Sequence, residues 1–123
     1  MLNLGQLETK VMDVLWDTPA QPLRVRDVMD RIDDDTSRAY TTVMTVLDNL
    51  HRKGWVIRHT EGRGYVYLPA KNREEAVADA LREVLGSVAD ADAVLLHFAR
   101  TASDDEADIL RRGLRRRTNK PRP

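Results

Sequence analysis

Apolar residues recur along the first fifty or so positions of the chain in three blocks with helical spacing. In the first block Leu4, Leu7, Val11, Val14 and Leu15 share one face, and Asn3 with Gln6 three residues later has the form of a capping box that would start the helix. It is expected to stop near Trp16, because Asp17-Thr18-Pro19-Ala20-Gln21-Pro22 sets two prolines among turn formers. Val25, Val28, Met29 and Ile32 then mark a short second helix. The cluster Asp33-Asp34-Asp35-Thr36-Ser37 interrupts the pattern and offers N-cap side chains for a third helix, whose apolar stripe is Val43, Val46, Leu47 and Leu50. Arg52 and Lys53 suit the negative end of that helix, and Gly54 suits the position just beyond it.

The period then changes from helical to β. Residues 55–60 and 65–69 are rich in Trp, Tyr, Val and Ile, and Glu61-Gly62-Arg63-Gly64 lies between them as a hairpin turn. Helix, helix, helix, strand, wing, strand is the order of a winged helix-turn-helix, expected over residues 1–70. A helical pattern resumes from Lys71, with Asn72 and Glu75 as a cap pair and Val77, Ala80, Leu81, Val84 and Leu85 on one face. Gly86-Ser87 ends it. Val94, Leu95 and Phe98 mark the next helix, and Ser103 with Glu106 caps a last one bearing Ala107, Leu110 and Leu114. These three helices contain one aromatic residue, too little to make a core alone, so pairing with a second copy through Leu81, Val84, Leu95, Phe98, Leu110 and Leu114 is expected. The fold class is therefore mainly α with a small β-hairpin: a winged helix-turn-helix, a three-helix dimerisation module over 71–117, and a basic tail at 118–123.

Composition sharpens this picture by exclusion. The chain of 123 residues has no Cys, so disulfides, thiolate metal clusters and thiol nucleophiles are absent. No apolar run approaches the ~20 residues of a membrane helix, and the first residues lack the basic start and apolar stretch of a signal peptide. A cytoplasmic protein with no membrane insertion is expected. His51, His59 and His97 never fall at i, i+3 or i, i+4, which argues against a metal site, and neither a P-loop, a G-x-S-x-G nor an H-E-x-x-H occurs. No enzyme activity and no cofactor are expected.

The net charge is zero, but it is unevenly spread. Residues 1–35 carry four basic side chains against eight acidic ones, whereas residues 36–70 carry Arg38, Arg52, Lys53, Arg58 and Arg63 against two acids. Seven basic residues and no acid follow from Arg111 onward. The middle third can face phosphate. On the third helix the face opposite the apolar stripe holds Thr41, Thr45, Asp48 and Arg52, flanked by Thr42 and Asn49: short, polar and almost uncharged, as a helix lying against base edges requires. Arg63 between two glycines has a backbone free to approach phosphate or a minor groove. Arg58 and His59 on the strand can add backbone contacts.

The core AYTTVMTVLDNLHRKGWV, the wing GRGYVYLP and the opening LGQLETKVMDVLW together resemble the penicillinase repressor family (BlaI/MecI-like), its actinobacterial members above all, over residues 4 to 115. That resemblance implies a cytoplasmic homodimeric repressor of double-stranded dyad operators at β-lactam resistance or related genes, released when a regulatory protease cuts the dimerisation module. It puts base reading on Thr41, Thr42 and Thr45 with Met44 at the edge, the wing arginine on Arg63, and the cleavage position on His97-Phe98, where His97 replaces the family's usual Asn; from the charge pattern, Arg38, Arg52, Lys53 and Arg58 are expected to join Arg63 in contacting the DNA backbone. Arg24 is a second departure, since a Ser or Thr cap is the family expectation before the second helix. A copper-responsive branch with a cysteine-rich cluster is excluded by composition. Two classes of function stay open: an operator-binding repressor, and a winged helix that contacts a protein, which the neutral net charge permits. For the repressor, release by proteolysis and release by a ligand are both open.

Overall fold

The computed structural model describes residues 4–32 and 38–117. Its elements run α1 (Gln6–Asp17), α2 (Val25–Arg31), α3 (Tyr40–Arg52), β1 (Val56–Glu61), β2 (Gly64–Pro69), α4 (Arg73–Gly86), α5 (Ala91–Thr101) and α6 (Asp104–Arg115). This is the helix, helix, helix, hairpin, three-helix order that the periodicity predicts. The described residues divide into two compact units, with the boundary between Arg82 and Glu83.

Two helix starts differ from expectation. Gly5, not Asn3, is the N-cap of α1, and Glu8 accepts a hydrogen bond from its backbone N–H at 3.0 Å. A carboxylate reaching back from the third helical position does the capping here, which needs no side chain on the cap itself; Asn3 lies outside the described residues. At α3 the N-cap is Ala39, without a side-chain cap, so the expected cap from the Asp33–Ser37 cluster is not what begins this helix, and that cluster also lies outside the described residues. Burial rather than capping holds α3: Val43, Leu47 and Leu50 are fully buried, and helices in proteins draw most of their stability from such packing.

The core of the first unit joins α1, α2, α3 and the hairpin. Val11, Met12 and Leu15 of α1, Leu23, Val28 of α2, the three α3 residues and Tyr67 of β2 are all fully buried. Gly54 adopts φ 82°, the left-handed conformation that a helix exit before a strand requires of glycine. Trp55 then returns a hydrogen bond to Leu50 O at 2.9 Å and meets Trp16 edge-on with ring centroids 6.2 Å apart. β1 and β2 pair antiparallel from Val56↔Pro69 to Glu61↔Gly64. Two residues, Gly62 and Arg63, make the turn, and φ of 65° at Gly62 alone fits the type II′ hairpin, whose first central position needs glycine.

The start of α4 is stitched to α1. Trp16 Nε1 donates to Lys71 O at 3.1 Å, Arg73 lies over the Trp16 ring and near Asp13 and Asp17, and Ala76 and Ala80 are buried. In the second unit Asp90 caps α5, a start the sequence pattern did not mark, and Ser103 forms with Glu106 the capping box of α6 that the sequence predicts. No residue of α5 or α6 is buried. Phe98 is 55% exposed and Leu114 64%, so neither is covered within a single chain.

Candidate nucleic-acid interface

The outward face of α3 is built from short side chains. Burial of Val43, Leu47 and Leu50 turns Thr41, Thr42, Met44 and Thr45 to solvent, so the four residues expected to read bases form one contiguous exposed surface on the first turns of the helix. The Thr45 hydroxyl donates to Thr41 O at 2.8 Å. Further along, the face closes over: Asp48 accepts from Arg58 Nη1 at 3.0 Å and lies 3.6 Å from Arg52 Nε, and Arg52 also bonds Asn49. The part of α3 open to a ligand is thus its N-terminal half.

The expected phosphate-contacting cations fall into three situations. Arg63 sits exposed at the hairpin tip and carries no ion pair among the described residues. Arg52 is exposed on α3 beside Asp48. Arg58 and Lys53 are committed within the fold. Arg58 pairs with Asp48 and stacks 4.2 Å over the Tyr65 ring, bracing β1 against α3. Desolvation works to lower its pKa, but its bonds to Asp48 and the Tyr67 hydroxyl outweigh that and hold it above the usual arginine range. Burial pushes the Tyr67 phenol up, against the opposing pull of Arg58. Lys53 bonds both Glu8 carboxylate oxygens at 2.9 and 3.0 Å, tying the end of α3 to the first turn of α1. Partial burial works to raise the Glu8 pKa, but the Gly5 N–H and the Lys53 ammonium prevail and hold it below the ordinary value of 4.5. Arg38 is half-buried just ahead of α3 and engaged within the fold.

Between α3 and the wing runs an open groove of about 530 Å³, and its lining includes residues that the sequence pattern did not single out as contacts: Arg24, Arg26, Tyr40 and Tyr65, alongside Met44 and Arg63. Arg26 lies 5.6 Å over the Tyr40 ring. The signal available for them was slight. Arg24 and Arg26 belong to a segment that is acidic as a whole, and only folding moves them next to the wing.

A groove lined by arginine guanidiniums and aromatic rings, flanked by an uncharged helix face and an arginine-tipped hairpin, suits a polyanion with flat, hydrogen-bonding edges. Among the described residues no helix is long and apolar enough to cross a membrane, and no His/Cys/Asp/Glu group could hold a metal ion.

Similarity to known proteins agrees with this architecture. The chain is 39% identical over 117 residues to the transcriptional regulator BlaI of Mycobacterium tuberculosis, an alignment that takes in 93% of this chain and 84% of the relative. Among solved structures, the DNA-binding domain of the repressor BlaI superposes with a TM-score of 0.51 at 26% identity, covering 60% of this chain and 88% of that one. MepR, a transcription regulator of a Staphylococcus aureus multidrug efflux pump, superposes with a TM-score of 0.51 over 92% of this chain and 76% of its own at 16% identity, a likeness of fold. Residues 4–116 match the penicillinase repressor family as a whole. The chain is therefore a member of the penicillinase repressor family, transcriptional regulators rather than enzymes, built as a winged helix-turn-helix followed by three helices.

Proposed function

We propose that this chain is a homodimeric repressor that binds a dyad-symmetric operator, with Thr41, Thr42, Met44 and Thr45 meeting base edges and Arg63 with Arg52 meeting the DNA backbone. The observation that carries this reading is the exposed, uncharged N-terminal half of α3 set beside the arginine-tipped wing. Lys53 and Arg58 act from behind, as cations that hold α3 and the hairpin in place, and with Arg38 they raise the local potential. Selection of bound duplexes from a random library, followed by gel shift, tests the reading. Enrichment of an inverted repeat with half-sites about 10 bp or a small multiple apart supports it; a bound pool without common sequence defeats it.

The second copy joins through the helices that lack a core. Leu81, Leu95, Phe98, Leu110 and Leu114 are all exposed in the single chain, with Val84 half-buried among them. Burying the exposed half of such side chains stabilises by about 1 kcal/mol each, and summed over both copies this favours a pairing that brings two weakly binding winged helices onto one site. Linking two modules raises binding about 10²–10⁴-fold without new contacts, so loss of the dimer clears the operator. We infer that induction works this way, at genes of β-lactam response or a related defence, by a regulatory protease cutting at His97-Phe98 or by a ligand opening the module. His97 and Phe98 lie inside α5, and the His97 carbonyl accepts a bond from the Thr101 hydroxyl at 3.0 Å. A protease binds extended backbone, so this turn has to unwind before it can be cut. Blots of induced cells decide: full-length chain persisting while target genes are fully expressed refutes the proteolytic route.

A further inference from the structure

We propose that Arg24 is the positioning residue of the wing: anchored at the start of α2, its guanidinium grips the underside of the hairpin turn and fixes where Arg63 points. The backbone of Arg24 is held from both sides. Its N–H donates to Asp27 Oδ2 at 2.9 Å and its carbonyl accepts from Val28 at 3.1 Å, which are the bonds of a helix start. Leu23, just before it, exchanges two backbone hydrogen bonds with Tyr67 of β2, at 3.0 and 2.8 Å. The side chain therefore leaves from a point fixed against the lower part of the hairpin and reaches its upper end. There Nη2 donates to the Glu61 carbonyl at 3.0 Å, with the Glu61 carboxylate 3.6 Å away. A β-carbon at Gly64 would lie 3.6 Å from Nη1, and one at Gly62 3.8 Å from Nη2, so the guanidinium lies directly beneath the turn.

The wing needs such a support. Val66 and Tyr67 are the last residues of β2 that the core holds; beyond them come the pairs Thr60↔Tyr65 and Glu61↔Gly64, with Arg58 stacked on Tyr65 short of the turn. A free two-stranded ribbon is marginal in water. Arg24 supplies an attachment at the tip itself, in addition to the Leu23–Tyr67 bridge and the Arg58–Asp48 brace lower down. This also accounts for an arginine where a Ser or Thr cap was expected. Asp27 already completes the α2 start through the Arg24 backbone, which leaves the side chain at this position free for the wing, and neither Ser nor Thr is long enough to reach it. With Nη2 committed to Glu61, the part proposed for Arg24 is to act on DNA through the placement of Arg63, and its own contribution as a phosphate contact is what the salt slope below separates.

The inference rests on the operator-binding reading, but part of its test does not. The full chain is compared with Arg24→Met, which keeps the stem, and Arg24→Lys, which keeps the charge and one donor. Without DNA, heteronuclear NOE values at the amides of Gly62, Arg63 and Gly64 should fall in Arg24→Met and recover largely in Arg24→Lys, while those of Val43 and Leu47 stay unchanged. On a selected duplex, Arg24→Met should weaken binding on the order of fivefold when Arg63 is present and scarcely at all in an Arg63→Ala background. The salt slope should change by much less than the ~0.9 that one phosphate contact carries. Wing amides as ordered in Arg24→Met as in the parent overturn the proposal whether or not the chain binds DNA. A slope loss of about 0.9 with the same affinity loss in both backgrounds overturns it in favour of a direct phosphate contact.

Discussion

Thr45→Ala removes a hydroxyl and a methyl from the centre of the exposed α3 face. In the folded chain the hydroxyl proton is directed to Thr41 O at 2.8 Å, so what Thr45 presents outward is acceptor lone pairs and a methyl group. Its base partners are then an amino donor, adenine N6 or cytosine N4, or a thymine methyl. Loss of one such contact costs about 1–3 kcal/mol, or roughly five- to 160-fold in operator affinity. The fold should not suffer. Thr45 is exposed, and alanine is the better helix former by a few tenths of a kcal/mol, so Tm should hold or rise slightly. Fluorescence anisotropy at fixed salt, on the selected duplex and on a scrambled one, should show the loss on the first alone. Thr45→Val distinguishes the two kinds of contact, because it keeps a methyl and discards the hydroxyl: it should bind like the parent if the partner is a thymine methyl and like Thr45→Ala if it is an amino group. Thr45→Ala with undiminished discrimination between the two duplexes would refute the placement of base reading on this face.

Two further outcomes follow from the same geometry. Arg63→Ala should weaken operator and scrambled DNA alike and reduce the salt slope by about 0.9, as read from titrations at several salt concentrations; an unchanged slope contradicts phosphate contact at the wing tip. Glu8→Gln should lower stability at neutral pH by about 1 kcal/mol, since a carboxyl held below 4.5 in the fold stabilises above that pH and loses its contribution as pH falls through the folded value. Urea melts should therefore show a parent–variant gap at pH 7 that shrinks toward zero under strong acid, and a gap independent of pH would show that the Glu8 charge is not its source.

Much of the fold is legible in the residues because its signals are local. Periods of three and four mark each helix, Gly54 and Gly62 stand where positive φ is required, and the caps at Asn72 and Ser103 fall where short-range pattern puts them. The misread starts of α1 and α3 have a common cause. The strongest-looking capping side chain is chosen by type, whereas Glu8 caps α1 from inside the helix and α3 begins at Ala39 because its buried stripe determines it. Of the candidate interface, the threonine face and Arg63 follow from helical and hairpin geometry alone. Commitment of Lys53 to Glu8, 45 residues away, and of Arg24 to Glu61, 37 residues away, does not. Such pairings arise only when the chain closes, and so does the groove that sets Arg24, Arg26 and Tyr40 beside the wing.

In the proposed assembly two chains, joined by helices without a core of their own, hold two winged helices on one dyad site. Sedimentation equilibrium of the full chain, alone and with the selected duplex, tests it most directly. Two chains per particle are expected at micromolar concentration, two chains per duplex, and for Leu110→Glu a folded monomer whose operator affinity falls by about 10²–10⁴. A full-length chain that sediments as a monomer at that concentration, and occupies the dyad one copy at a time with undiminished affinity, would contradict it.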